Sequence, residues 1–254
     1  MKTGLILSGG GMRGAAHIGA IKALEEYGIV PTHIAGTSAG AIVGALYAYG
    51  YNWEEILTFF KEINLLDFKR YALNKPGIID AEKFYSAFKT YLANDNFSHL
   101  KKELSITTTN ILNGKLEIFN SGELIKPVLA SAAIPGIFSP VKINESYYVD
   151  GGTLNNFPVE LLKSSCEQII GIYVNSFNPI SMDKLKYAIN VIERAFIIKS
   201  VDEDSKKFKD CDLIVLPQGL NKYGVLDKKY LNEIFNIGYE ATMKALEKNT
   251  INFK

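Results

Sequence analysis

The residues best placed to do chemistry in this chain are a serine set among glycines and an aspartate followed by two more. Gly36-Thr37-Ser38-Ala39-Gly40 has the form G-x-S-x-G, between the short run Thr32 to Gly36 and a run of Ala, Ile, Val and Leu. Where a strand turns sharply into a helix, the flanking positions must be small, and the serine hydroxyl projects from the top of the sheet as a nucleophile. The competing structural reading is a serine that caps the helix. Strand-turn-helix context favours the nucleophile.

Gly9-Gly10-Gly11-Met12-Arg13-Gly14 matches G-x-G-x-x-G and also lies between a strand and a helix. As a dinucleotide fingerprint it lacks its partner. The acid that should close the next strand is absent, because that strand ends in Gly36-Thr37-Ser38 while Glu25 and Glu26 lie on the intervening helix. A P-loop is excluded, since no Gly-Lys-Ser/Thr follows. Backbone N–H groups freed at a helix N-terminus can instead hold a phosphate or the oxyanion of a tetrahedral intermediate. A ligand-free turn is the structural alternative for this loop.

A serine nucleophile needs a base. The three histidines, His17, His33 and His99, all precede Asp150, so the Ser-acid-His order of an α/β-hydrolase is not available. His17 falls in the helix after the glycine loop, His33 starts the strand that ends at Ser38, and His99 sits in a polar connection. Each reads as a structural or surface histidine. Asp150 ends an apolar run and precedes Gly151 and Gly152, the pattern of a carboxylate on a tight turn at a strand end. A plain D-G turn is the competing reading. As a general base, Asp150 would need burial or fixed geometry to raise its basicity.

The elements that must position these residues are legible from periodicity. Strands are expected at Thr3–Leu7, Thr32–Gly36, Leu104–Thr109, Tyr147–Val149, Gln168–Val174 and Leu213–Leu216. Asn113-Gly114 between apolar-polar alternations predicts a hairpin. Helices are expected from Gly14 to about Tyr27, from Ser38 to Tyr49, and at about 181–209 and 228–248, with Cys166 near the end of a further helical run. Residues 51–100 form a helical, aromatic insert. In it Trp53, Ile56, Phe59, Phe60, Ile63, Leu65, Leu66 and Phe68 could line an acyl groove or touch a bilayer, although packing against the sheet is the preferred reading. Strands interleaved with helices indicate one α/β domain over residues 1–254, with a mostly parallel sheet covered on both faces.

Bulk properties exclude more than they specify. Hydrophobic residues make up 47% and charged residues 22% of the 254, and the formal net charge is +1. No basic field recommends nucleic acid as a partner. Cys166 and Cys211 read as free thiols, and no His, Cys, Asp or Glu cluster has ligand spacing, so neither metal nor cofactor is expected. The N-terminal apolar run is too short for a signal peptide, and no run is long enough for a membrane span. The expected location is cytoplasmic, with peripheral contact at a membrane surface left open.

With these pieces placed, the chain resembles the patatin-like phospholipases. The resemblance rests on the glycine loop at 9–14, on Gly36 to Gly40, and on Asp150-Gly151-Gly152. Ala130 to Pro140 (A-S-A-A-I-P-G-I-F-S-P) and N-N-F-P-V at 155–159 add to it, over about residues 2–162. It implies an α/β/α sandwich with the 51–100 insert as a helical cap, and a Ser-Asp dyad without histidine acting on fatty-acyl esters or phospholipids. Ser38 would form the acyl-enzyme and Asp150 would take the proton. The N–H groups of Gly10, Gly11, Met12 and Ala39 would hold the oxyanion. Arg13 matches a basic position of the family, with a surface arginine at a helix N-terminus as the alternative. The family often has Asp before the triple glycine, where this chain has Ser8. A phosphate- or nucleotide-binding module built on the glycine loop and a non-catalytic lipid-binding member are the alternative functions.

Overall fold

The structure is a computed structural model and describes residues 1–63, 72, 75–175 and 179–248. Its strands are β1 (Thr3–Leu7), β2 (His33–Gly36), β3 (Glu103–Asn110), β4 (Lys115–Phe119), β5 (Val141–Ile143), β6 (Ser146–Asp150), β7 (Gln168–Ile172) and β8 (Leu213–Val215). They form one sheet in the order β5-β6-β3-β2-β1-β7-β8, with β4 also on β3. Pairing is parallel from β3 through β2, β1 and β7 to β8, and antiparallel at β4, β5 and β6. The expected α/β architecture with a mostly parallel central sheet is what the chain adopts. The Asn113-Gly114 turn joins β3 to β4 as anticipated.

Helices cover both faces, unequally. They are α1 (Ala15–Glu26), α2 (Ala39–Tyr49), α3 (Trp53–Glu62), α4 (Tyr85–Tyr91), α5 (Ile125–Ser131), α6 (Ala188–Lys206) and α7 (Leu231–Lys248). Side chains alternate along a strand. Leu5, Leu7 and Ile34 therefore join the large core beneath α1, α2 and α7, while Ile6 and Ala35 point to the other face. That second layer is thinner. Phe157, Val159, Leu162 and Tyr173 fill it, with Val201 of α6 and Phe208 against them.

The 51–100 insert supplies α3 and α4. Asn52 and Glu55 close a capping box at the start of α3, each side chain accepting from the other's backbone N–H at 2.9 Å. Its apolar stripe is packing surface: Ile56, Phe59, Phe60 and Ile63 are buried, Phe59 meets Phe88 and Tyr91 edge-on, and Trp53 lies against Phe235. Leu65, Leu66 and Phe68 lie outside the described residues. Cys166 does not end a helix. Residues Val159–Leu161 form one 3-10 turn, after which the chain turns back to begin β7.

Register brings the chemistry to one edge. Leu7 pairs with both Gly36 and Ile172, so the segments after β1, β2 and β7 leave the sheet at the same level. Gly36 also aligns with Ile106, and Asp150 aligns with Thr108 two residues further along β3. The end of β6 thus arrives beside the turn that carries Ser38, at the carboxyl ends of the parallel strands where open α/β sheets bind ligands.

Candidate active site

Ser38 occupies a backbone conformation that side chains rarely adopt, φ 55° and ψ −123°, between β2 and α2. The turn is so sharp that the backbone folds back against itself with no room for side chains. A Cβ on Gly36 would lie 2.6 Å from the Gly40 carbonyl oxygen, and one on Gly40 would lie 2.1 Å from that of Leu7. Small flanking residues are therefore a steric requirement of the turn. The Ser38 N–H donates to Ser131 Oγ at 2.8 Å. Thr37 Oγ donates to the Asn155 carbonyl at 3.0 Å and, having one proton, accepts from Thr107 Oγ at 2.6 Å.

Asp150 is held on three sides. Its N–H donates to the Ala133 carbonyl at 3.0 Å, its carbonyl accepts from Thr109 Oγ at 3.1 Å, and its Oδ1 accepts from the Gly152 N–H at 2.7 Å. The Ser38 side chain lines the same cleft as the carboxyl group. Burial pushes the Asp150 pKa up to about 7, while the nearby Ser38 side chain and the Gly152 N–H pull the other way. Ser131 and Ala133 sit at the end of α5, so one short segment grips the backbone of both Ser38 and Asp150. The run A-S-A-A-I-P-G-I-F-S-P contained this bracket. Ser131 was not identifiable within it, because nothing local distinguishes a serine that will accept a bond from a residue 93 positions away.

The glycine loop is tied from behind. Asn175 Nδ2 donates to the Gly9 carbonyl at 2.8 Å, and Arg13 Nε donates to that of Gly10 at 3.2 Å. Gly11 has φ 58°, and a Cβ there would lie 2.4 Å from the Val225 carbonyl oxygen. That same oxygen accepts the Met12 N–H at 2.8 Å, which removes Met12 from the free donors. The Gly10, Gly11 and Ala39 N–H groups have no acceptor among the described residues. Ser8, where an acid was the family expectation, accepts the Val174 N–H at 3.0 Å and donates to the Gly9 carbonyl. Gly9 and Gly14 are packing glycines here: a Cβ would meet Asn156 Oδ1 at 2.4 Å and Ala39 Cβ at 2.8 Å respectively. Gly151 packs equally tightly against Thr107.

Arg13 is not a surface residue. It is buried and pairs with Glu193 of α6 at 3.1 Å. Burial lowers its pKa and raises that of Glu193, each against the attraction of the other. His17 is buried too, with Nε2–H donating to the Ser8 carbonyl at 2.8 Å. Burial takes its pKa down to about 4, so it is a neutral support for the loop. His33 bonds Thr32 at the start of β2. None of these rings lines the cleft.

Ser38, Asp150, Gly9, Gly10, Gly11 and Gly152 share a cleft with Asn156 and Asn175. A hydroxyl that shares a buried cleft with a carboxyl group near neutrality and with N–H groups lacking an acceptor among the described residues can carry out acyl transfer. The cleft encloses about 50 Å³ of open space, room for a few waters. Glu193, Phe196, Ile197 and Ser200 of α6 close it, and Ser38 and Asp150 are 5% and 4% exposed.

The sequence pattern of the patatin-like phospholipases matches residues 5–163, a span that holds both Ser38 and Asp150. The chain belongs to this family. It is 30% identical to the lysophospholipase NTE1 of Pyricularia oryzae across 96% of its own length, and spans 18% of that relative. It is 35% identical to an uncharacterised NTE family protein of Mycobacterium tuberculosis, over 62% of this chain and 44% of the other. Among solved structures, VipD from Legionella pneumophila superposes with TM-score 0.55 at 17% identity, covering 98% of this chain and 67% of VipD. ExoU of Pseudomonas aeruginosa, in complex with SpcU, gives 0.53 at 17%, covering 99% and 53%. At that identity the likeness concerns the fold alone, and in this patatin-like chain the fold is the one described above.

Proposed function

We propose that this chain is a serine lipid acyl hydrolase of phospholipase A or lysophospholipase type, with Ser38 and Asp150 as its catalytic dyad. The observation that carries the reading is that one cleft brings together the buried Ser38, on a strained turn, and the buried Asp150 carboxyl group, whose pKa is about 7. The lysophospholipase names of the relatives support the substrate class.

Ser38 Oγ attacks the acyl carbonyl carbon while Asp150 takes the hydroxyl proton. The oxyanion is held by the N–H groups of Gly10, Gly11 and Ala39, at the N-termini of the two segments that flank the site. When the tetrahedral intermediate collapses, the C–O bond to the alcohol breaks and Asp150 protonates the departing oxygen. Water then attacks the acyl-enzyme and gives its proton to Asp150. The second collapse releases the fatty acid and returns the proton to Ser38. A phosphate-binding role for the loop fits less well, because a bound phosphate would face the Asp150 carboxyl across the same cleft.

The test is hydrolysis of p-nitrophenyl esters over a range of acyl lengths by the wild type and Ser38→Ala. Turnover by the wild type alone, in two equally folded proteins, is the expected result. Equal turnover in both, or none in either at any length, would remove Ser38 as the nucleophile.

A further inference from the structure

Helix α6 closes the cleft, and its polarity is inverted relative to a helix that faces water. Glu193, Ser200 and Asp204 recur at helical spacing on the side turned to the body, where Ile197 lies among them. Glu193 pairs with Arg13 there, while Asp204 Oδ2 accepts from Asn156 Nδ2 at 3.1 Å and Tyr173 OH at 3.0 Å. The opposite side carries Ala188, Val191, Ala195 and Ile198, spaced three, four and three residues apart and all exposed. Val191 and Ile198 are 51% and 55% exposed, and Met182 and Tyr187, just before the helix, are more exposed still. A surface helix ordinarily turns its apolar row to the core and its charges to solvent. Here two of the carboxylates, Glu193 and Asp204, go inward while apolar side chains face out.

We infer that the Met182 to Ile198 face of α6 is a docking surface for a lipid bilayer bearing anionic head groups. Charge complementarity identifies the occupant. Lys184, Lys186 and Arg194 flank the apolar row, with Lys199 at its end reaching the Thr153 carbonyl, and of the two acids in that stretch Glu193 is turned inward to Arg13, leaving Asp183. Apolar side chains beside lysine and arginine are the composition that holds a helix in the interfacial plane of an anionic membrane. The row ends at Asp202 and Glu203, which would stay in water. No described helix is long and apolar enough to cross a membrane, so the contact is peripheral. The same helix lines the cleft on its other side, through Phe196, Ile197 and Ser200. Docking this face would set the element that closes the cleft against the substrate's own phase. The inference takes its substrate from the reading of Ser38 as an acyl-ester nucleophile.

The experiment is flotation of the Ser38→Ala protein, which leaves lipid intact, with vesicles of equal phosphatidylcholine and phosphatidylglycerol and with vesicles of phosphatidylcholine alone. Binding to the mixed vesicles is expected, weaker by roughly tenfold on the neutral ones. Val191→Glu with Ile198→Glu should lower binding to the mixed vesicles by at least about tenfold. Thermal midpoints check that the variants fold, and Val191→Ser with Ile198→Ser serves if the glutamates disturb the helix. No binding by the parent, or equal binding by parent and variants, overturns the inference. A vesicle-independent dimer lost with the same substitutions also overturns it and assigns the face to a second copy. Hydrolysis of soluble p-nitrophenyl butyrate by the Ser38 protein is read separately, so failure of the esterase reading and failure of vesicle binding are distinct results.

Discussion

As the proposed base, Asp150 would have to lose its proton before accepting one from Ser38, and its buried setting opposes that loss. With its pKa at about 7 against an ordinary 3.8, the stability tied to this group is fully present below 3.8 and is lost as pH rises through 7. The displacement corresponds to roughly 4 kcal/mol at most. Asp150→Asn should therefore melt higher than the wild type at pH 8, with the difference vanishing toward pH 4, as thermal scans across pH would show. The same substitution should lower kcat/KM by about 10²–10⁴-fold, the usual worth of a general base. In the wild type, kcat/KM should rise with pH through a limb near 7. An acidic limb near 4 would mean that Asp150 is not the titrating base. Ser131 provides a second case. Ser131→Ala leaves the Ser38 N–H buried without an acceptor, which should cost about 1–3 kcal/mol in denaturant melts and lower kcat more than it changes KM. Ser38 and Asp150 were legible in the sequence because each sits in a turn whose steric needs are local. Ser131, Asn156 and Asn175 were not, because their bonds are made by residues far along the chain.

At the scale of elements, the strands read most clearly, since β1, β2 and β7 are buried on both faces and appear as continuous apolar runs. The three-residue β5 left no such signal, and the single 3-10 turn at Val159–Leu161 carries enough apolar residues to imitate a helix. The contact between α1 and α7 was equally hidden. It depends on two glycines, Gly19 and Gly238, whose absent side chains let the backbones touch. A Cβ on Gly19 would lie 2.0 Å from the Phe235 carbonyl oxygen, and one on Gly238 would lie 2.1 Å from that of Ala16. Intrinsic propensity alone would make Gly238→Ala stabilising by up to about 1 kcal/mol. The contact predicts the reverse. Gly238→Ala should force the two helices apart and destabilise by about 1–3 kcal/mol, on the order of overpacking in a close-packed core. A denaturant midpoint equal to or above that of the wild type would show that α7 does not sit this close to α1. Displacement of α1 would also reach the glycine loop, because His17 on that helix supports the Ser8 carbonyl.

Across the whole molecule, the arrangement sets the cleft beneath a helix tied by polar contacts near both ends, with Val201 packed on the thinner core. Arg13 and Glu193 tie α6 to the glycine loop near one end, while Asp204 ties it to Asn156 and Tyr173 near the other. Burial takes the Asp204 carboxyl up to about 6, so above that pH it accepts both bonds as a charged acceptor. Between the two ties, Ile197 is buried against the cleft and Phe196 is half-buried. Removing one partner of a buried ion pair ordinarily costs about 3–5 kcal/mol, because the other charge is left without compensation. Glu193→Gln strands the Arg13 guanidinium in this way, since arginine does not give up its proton. The cost has two places to appear. If α6 is a fixed part of the core, the loss falls on global unfolding, and the thermal midpoint drops by several degrees. If α6 moves as its own unit, its opening lets water reach Arg13 and relieves the charge without unfolding the sheet. We expect the second outcome. In Glu193→Gln, amide exchange should accelerate over residues 188–201, while β1, β2 and α2 keep their protection and the midpoint changes little. Uniform acceleration through sheet and helices would make α6 a fixed wall, and access to Ser38 would then have to come from another element.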